Sequence, residues 1–162
     1  MIRRINKNET KKLTEVIRNS FVTVANEFNI TKKNAPSNPA FITPKNIKTL
    51  QKKGVVFLGF YINDELIGCI ALENAGSGIF YIEKLGVLPE FRNNGYGEKL
   101  MIAALKFAKK KGCTQISVAI INKNKILKKW YKRLGFKETG LKDFPHLPFT
   151  VCFMEKKLSL KL

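Results

Sequence analysis

Val87-Leu88-Pro89-Glu90-Phe91-Arg92-Asn93-Asn94-Gly95-Tyr96-Gly97-Glu98 decides how this chain is read: a β-strand runs through a short polar loop into a helix. At such a junction successive backbone N–H groups point into one concavity. The helix dipole adds about half a positive charge at the same place, so the site suits a diphosphate held chiefly by main chain. Gly95 can take a turn conformation closed to other residues, and Gly97 leaves the first helical turn open for oxygens to approach. Arg92 offers a charge-assisted contact. Taken alone, R-x-x-G-x-G also describes a glycine turn with a purely structural duty. The spacing is neither the G-x-G-x-x-G of a dinucleotide fold nor the G-x-x-x-x-G-K-[ST] of a P-loop, so nicotinamide and ATP readings lose their main support.

Working outward, the helix is expected from about Gly95 to Lys111, closed by Gly112, with Leu100, Ala103, Ala104, Phe107 and Ala108 as its buried face. Upstream, Ile79 to Leu88 is the strand feeding the loop. Val55 to Ile62 and Leu66 to Glu73 form a hairpin around Asn63-Asp64. Ile2 to Ile5 makes a first strand. Asn8 then caps a helix carrying Leu13, Val16, Ile17, Phe21, Val24 and Phe28 at helical spacing. Asn29 to Phe41, with Pro36 and Pro39, reads as a loop, and Thr43-Pro44 starts a second helix that Gly54 stops. Downstream come a strand at Ile116 to Ile121, a helix at Lys125 to Leu134 ended by Gly135, and strands at Phe136 to Leu141 and Phe149 to Lys157. That order gives an α/β fold in which helices cover a mixed sheet, and no linker divides residues 1–162, so one domain is expected.

A chain of 162 residues is long enough to remove about 70% of its unfolded surface from water, and with 44% apolar residues and no repeat it is neither disordered nor a solenoid. The longest strongly apolar run, Val55 to Ile62, contains Gly59 and falls far short of the roughly 20 residues a membrane span needs. The opening Met1-Ile2-Arg3-Arg4-Ile5-Asn6-Lys7 has no apolar secretory core, so a cytoplasmic protein without membrane partners is expected. Cys69, Cys113 and Cys152 are mutually distant and include no C-x-x-C pair, and His146 is the sole histidine; neither a disulfide framework nor a metal site is expected. Thirty Lys and Arg against 12 Asp and Glu give a charge of +18 and favour an anionic partner. The lysines are spread over every segment without interleaved aromatics, so the partner need not be nucleic acid.

Leu85-Gly86-Val87-Leu88-Pro89-Glu90-Phe91-Arg92-Asn93-Asn94-Gly95-Tyr96-Gly97 resembles the acyl-CoA pyrophosphate loop of the GNAT (GCN5-related N-acetyltransferase) superfamily. A second segment agrees: Asn124, then Tyr131 seven positions on, then Gly135-Phe136 is similar to that family's later motif. The resemblance covers most of the chain, apart from residues 26–42 and 142–149. It implies a mixed, mostly antiparallel, twisted sheet of about seven strands flanked by about four helices. It also implies transfer of an acetyl group from acetyl-CoA to a primary amine by direct attack in a ternary complex. The cofactor contacts it implies are Leu85, Val87, Arg92, Asn93, Asn94, Gly95, Tyr96, Gly97, Glu98, Asn124 and Tyr131, with Asn122 a weaker candidate beside Asn124.

An alkyl ammonium, with pKa near ~10.4, must lose a proton before it attacks a thioester. Strand alternation puts Glu83 on one face with Tyr81, Leu85 and Val87, where its carboxylate acts as base directly or through water; a structural ion pair is the alternative, and a bulge would alter the alternation. Tyr81 stands where relatives can carry a second carboxylate. The resemblance further implies a backbone N–H near Val87 facing the oxyanion and the Tyr131 phenol protonating the departing thiolate. Asn124 serves as helix cap, cofactor contact or both. The cysteines read as small buried apolar groups, and His146 sits on a loop that the resemblance places beside the acceptor. Two other readings stand beside the enzyme: a non-catalytic CoA-binding or regulatory module of the same fold, and, last, a basic nucleic-acid-binding protein. The acceptor and the choice between monomer and homodimer are not encoded in any motif.

Overall fold

The computed structural model describes residues 1–159, and within them two apolar cores form on opposite faces of one sheet. Its strands are β1 (Ile2–Arg4), β2 (Val56–Ile62), β3 (Glu65–Gly76), β4 (Ile79–Val87), β5 (Gln115–Ile121), β6 (Lys137–Asp143) and β7 (Thr150–Lys157). Their spatial order is β1-β2-β3-β4-β5-β7-β6, and every neighbouring pair is antiparallel except β4 with β5. Helices α1 (Thr10–Glu27) and α2 (Pro44–Lys52) bury Leu13, Val16, Ile17 and Ile47 on one face against Phe57, Leu66 and Ala71. Helices α3 (Tyr96–Lys110) and α4 (Lys125–Arg133) cover the other face, where Leu100, Met101, Ala104 and Tyr131 meet Ile70, Leu72, Ile116 and Met154. A seven-stranded mixed sheet with four helices is the expected architecture.

Local chemistry explains most boundaries. Asn63 and Asp64, at φ +49° and +66°, make the left-handed two-residue turn whose twist matches a hairpin. Thr43 accepts from the Asn46 N–H at 3.2 Å while Asn46 Oδ1 accepts from the Thr43 N–H at 3.0 Å, and Pro44 follows as the first residue of α2. The first helix starts differently from expectation. Asn6, not Asn8, precedes a 3-10 turn over Lys7–Glu9, because the Glu9 carboxylate reaches back to the Asn6 N–H at 3.1 Å. On α3, Met101 is fully buried while Ala103 and Phe107 are only half-buried, so the buried stripe is rotated from the expected one.

Glu9 also ties the N-terminal strand to the sheet. Arg3 grips its carboxylate at 2.9 and 3.2 Å, Tyr61 donates to it at 2.7 Å, and the Arg3 guanidinium lies 4.0 Å over the Tyr61 ring. Arg3, acting first through its hydrogen bond, holds the Glu9 carboxyl down at about 2, against an ordinary 4.5. A depressed carboxylate stabilises the fold above its unfolded pKa and loses that contribution as pH falls toward its folded one. Glu9→Gln is therefore expected to cost about 1–2 kcal/mol in urea unfolding at pH 7, with the gap to wild type closing as pH drops from 4.5 toward 2.

The feature that shapes the site is a bulge in β4. Cys69 pairs with Gly86 and Ala71 with Glu83, so two residues of β4, Lys84 and Leu85, oppose one of β3, Ile70. Lys84 absorbs the extra residue at φ +53°, a left-handed conformation unusual for a long side chain. The bulge overturns the expected alternation. Glu83 shares the α1 face with Ala71, and a Cβ at Gly86 would meet Ser20 of α1, whereas Leu85 and Val87 pack on the opposite core.

Candidate active site

β4 and β5 pair only from Ile79–Tyr81 to Gln115–Ser117, and beyond that point the two strands separate. The separation opens a cleft of about 820 Å³ through the sheet, bounded by Ile82–Val87, Ala119–Ile121, the loop before α3, Tyr131 of α4 and Ser20 of α1. Leu88 N–H donates to Ile67 O at 2.9 Å, which makes the adjoining Gly68–Val87 pair one whose backbone groups point away from each other. Val87 thus turns its N–H toward the open edge while its C=O accepts from Arg92, and Leu85, two residues back, faces the same way. Unpaired strand edge of this kind is a template for an extended ligand rich in amides.

Between β4 and α3 the chain makes a 3-10 turn at Pro89–Phe91 and then enters the left-handed region at Asn93 (φ +64°) and again at Gly95 (φ +78°). Asn94 fixes this shape by donating to Phe91 O and Arg92 O, both at 3.0 Å. Gly95 occupies the N-cap of α3 and has no side chain to cap with; the first helical bond runs from Lys99 N–H to Gly95 O at 3.1 Å. The N–H groups of Tyr96, Gly97 and Glu98 therefore project from an uncapped helix end. A Cβ on Gly97 would meet nothing closer than Trp130 at 3.8 Å, so protein packing gives no reason for glycine there. The Tyr96 ring turns inward to lie 4.6 Å from Phe60, and Glu98 brings a carboxylate to the rim, so both offer a bound anion their main chain only.

Arg92 behaves differently from the phosphate-contacting side chain anticipated above. Its guanidinium donates to Val87 O at 3.1 Å, Ser20 O at 2.7 Å and Thr23 Oγ1 at 3.1 Å, riveting the loop to β4 and α1. It shapes the concavity from behind.

Across the cleft, Asn124 caps α4 by accepting from Leu127 N–H at 3.2 Å and also lines the opening. Asn122 is committed elsewhere, accepting from Lys128 at 2.5 Å, and is not among the lining residues. Lys128 and Lys132 also hold Glu138 of β6 at 2.9 and 3.1 Å, which fixes the roll of α4. Tyr131 is thereby set edge-on between Trp130 and Phe136. Its hydroxyl has no protein partner, yet no buried side-chain oxygen among the described residues lacks one, so this oxygen opens on the cleft it lines. Burial pushes the phenol above its ordinary range and keeps it a proton donor.

Glu83 enters the cleft on the α1 side with its carboxylate 3.2 Å from the Lys84 ammonium. Lys84 carries no distinguishing signal in the sequence, where it is one basic residue among 30. The cysteines are all buried, and burial pushes the Cys69 thiol up to about 12, which leaves it no nucleophilic character at neutral pH. The two stretches that resembled nothing, 26–42 and 142–149, come together: Ile30, Ala35 and Ala40 pack with Leu147 and Phe149 at the α1 end of the cleft. His146 lines that same end, exposed, its ring 5.6 Å from Phe144. Among the described residues no group of three or more His, Cys, Asp or Glu gathers, and no helix is long and apolar enough to cross a membrane.

Comparison with known proteins bears on this arrangement. The model of the acetyltransferase (GNAT) family matches residues 22–136. The uncharacterized N-acetyltransferase CT2212 of Chlorobaculum tepidum is 30% identical over 96 residues, 57% of this chain and 59% of that protein. Thialysine N-epsilon-acetyltransferase of Bos taurus is 38% identical over 55 residues, 34% of this chain and 32% of the other. The matched stretch thus spans from about a third to under two thirds of these relatives' own length. The paia N-acetyltransferase from Thermoplasma acidophilum, solved in complex with coenzyme A, is similar in fold with a TM-score of 0.75 at 22% identity, covering 98% of both chains. A family match over most of the chain, joined to a seven-stranded sheet that splays at its middle, leads to one conclusion: this chain belongs to the GNAT acetyltransferase family.

Proposed function

We propose that this chain is an acetyltransferase that moves the acetyl group of acetyl-CoA onto a primary amine by direct attack in a ternary complex. The observation that carries the reading is the union, in one cleft, of an uncapped helix end with an unpaired strand edge. Both ends of a CoA molecule find their chemistry there. The diphosphate fits the N–H groups of 93–98, where Gly97 leaves space that no protein atom uses. The amide-bearing arm fits the open edge offered by Leu85 and Val87. Bound acetyl-CoA supplies an activated thioester at the bulge. The remaining tasks fall to the chain: the Val87 N–H faces the carbonyl oxygen as it gains charge, Glu83 takes the amine proton directly or through water, and Tyr131 donates a proton to the leaving sulfur.

An acetyl-CoA-dependent enzyme acting in the cytoplasm as one domain over 1–162 is part of this reading, and the three free cysteines support a reducing compartment. The bovine relative is named for the N-epsilon amine of thialysine, which supports an alkyl amine as acceptor class. The test is release of free thiol from acetyl-CoA across a panel of amines, amino acids, aminoglycosides and peptide N-termini. Amine-dependent release supports the transferase; tight acetyl-CoA binding with release no faster than hydrolysis in buffer makes the chain a CoA-binding module instead.

Gly97 gives a sharper check. Ala there improves helix propensity by about 0.5–1 kcal/mol and clashes with no protein atom, so Gly97→Ala is expected to raise the melting temperature slightly while weakening acetyl-CoA binding about tenfold. Calorimetric binding beside a thermal melt separates the two effects.

A further inference from the structure

We infer that Lys84 selects the acceptor, and that the acceptor is an amine carrying a carboxylate. The inference rests on the transferase reading and names its substrate class. Its ground is the charge inventory of the cleft. Among the described residues the carboxylates that line it are Glu83 and Glu98, and Glu98 stands in the first turn of α3, on the diphosphate side. Glu27 and Glu73 do not line it. On the acceptor side, Glu83 is therefore the carboxylate, and the Lys84 ammonium already holds it at 3.2 Å. Arg92 lines the same side, with three of its five donors engaged by Val87 O, Ser20 O and Thr23. The other walls there include the apolar Phe21, Val24, Leu147 and Phe149 and the exposed His146 imidazole, and none of them brings a carboxylate.

Such a pocket offers a second cationic group on the substrate nothing to pair with. To an anion it offers the Lys84 ammonium. Lys84 keeps only 13% of its side chain exposed, and the bulge that turns it into the cleft puts it in a left-handed conformation that a long side chain adopts at a cost. When a carboxylate on the acceptor takes the ammonium, Glu83 is released from its ion pair at the moment the amine beside it needs a base. A neutral or polycationic amine leaves the Glu83–Lys84 pair closed. Lys84 is thus a specificity and positioning residue, distinct from the groups that carry the proton transfers.

The test compares amino acids with their own carboxamides, lysine with lysinamide and β-alanine with β-alaninamide, in two readouts: equilibrium binding to the CoA-loaded protein, and thiol release from acetyl-CoA. At least one carboxylate member is expected to bind wild-type protein about 10–100-fold more tightly than its amide. Lys84→Met should raise KM for that member by the same factor and leave kcat and the amide's KM within about threefold, while Lys84→Arg restores the preference. Lys84→Gly suits the left-handed backbone at 84 and supplies a second loss variant that folds without strain. The inference is overturned if no carboxylate-bearing amine binds in preference to its amide, or if the preference survives Lys84→Met and Lys84→Gly. A binding preference with no thiol release from any amine would instead count against the transferase reading and leave the selectivity standing.

Discussion

Gly95→Asp is expected to weaken acetyl-CoA binding about 100-fold, while Gly95→Asn weakens it less than about fivefold. The comparison isolates charge from shape. Residue 95 sits at φ +78°, a conformation that Asn and Asp tolerate better than other side chains, and a Cβ there meets no described atom within 4 Å. The two variants have nearly the same size and the same backbone preference, so each loses a similar few tenths of stability. They differ by one negative charge placed at the helix end that the account assigns to the diphosphate. At about 5 Å and an effective dielectric of about 20–40, a carboxylate against a diphosphate costs on the order of 3 kcal/mol, or two decades in affinity. Titration calorimetry with acetyl-CoA at two salt concentrations reads it. The Asp penalty should shrink at high salt, and equal losses in Asp and Asn would mean that the loop binds no anion.

Tyr131→Phe is expected to lower kcat about 100-fold with the affinity for acetyl-CoA unchanged within about twofold. The hydroxyl supports no protein group, so removing it leaves packing against Trp130 and Phe136 intact and should not lower the melting temperature. Because burial holds the phenol protonated, its loss should act equally at pH 6 and pH 9 and leave no alkaline limb attributable to it. Stopped-flow thiol release beside a thermal melt distinguishes this outcome from general damage. A variant with wild-type kcat would hand protonation of the leaving sulfur to water.

Much of this site is legible in the sequence because its parts are backbone devices marked by residue type. The loop 92–97 advertises itself through Gly95 and Gly97, and its left-handed angles at Asn93 and Gly95 fall on residues suited to them. Tyr131 and Asn124 stand out through the Asn, Tyr and Gly-Phe pattern that resembles the family's later motif. The bulge is not legible: nothing in Glu83-Lys84-Leu85 signals an extra residue, since the mismatch is set by where Cys69 and Ala71 of the partner strand fall. That one residue moved Glu83 to the face opposite Leu85 and Val87. It also turned Lys84 into the cleft, where a long-range ion pair would have been expected but the partner is the preceding residue. The anchoring of Arg92 is not legible for a similar reason, because its acceptors Ser20 and Thr23 lie about 70 positions away. The meeting of 26–42 with 142–149 likewise depends on tertiary packing, in which short apolar residues such as Ala35 and Ala40 carry no periodic signal.

A crystal structure of the protein grown with acetyl-CoA tests the central claim most directly. The account predicts the diphosphate against the N–H groups of residues 93–98 and the thioester between β4 and β5, within reach of the Val87 N–H and the Tyr131 hydroxyl. Acetyl-CoA bound on another surface, or a diphosphate held by lysine side chains away from the start of α3, would contradict it.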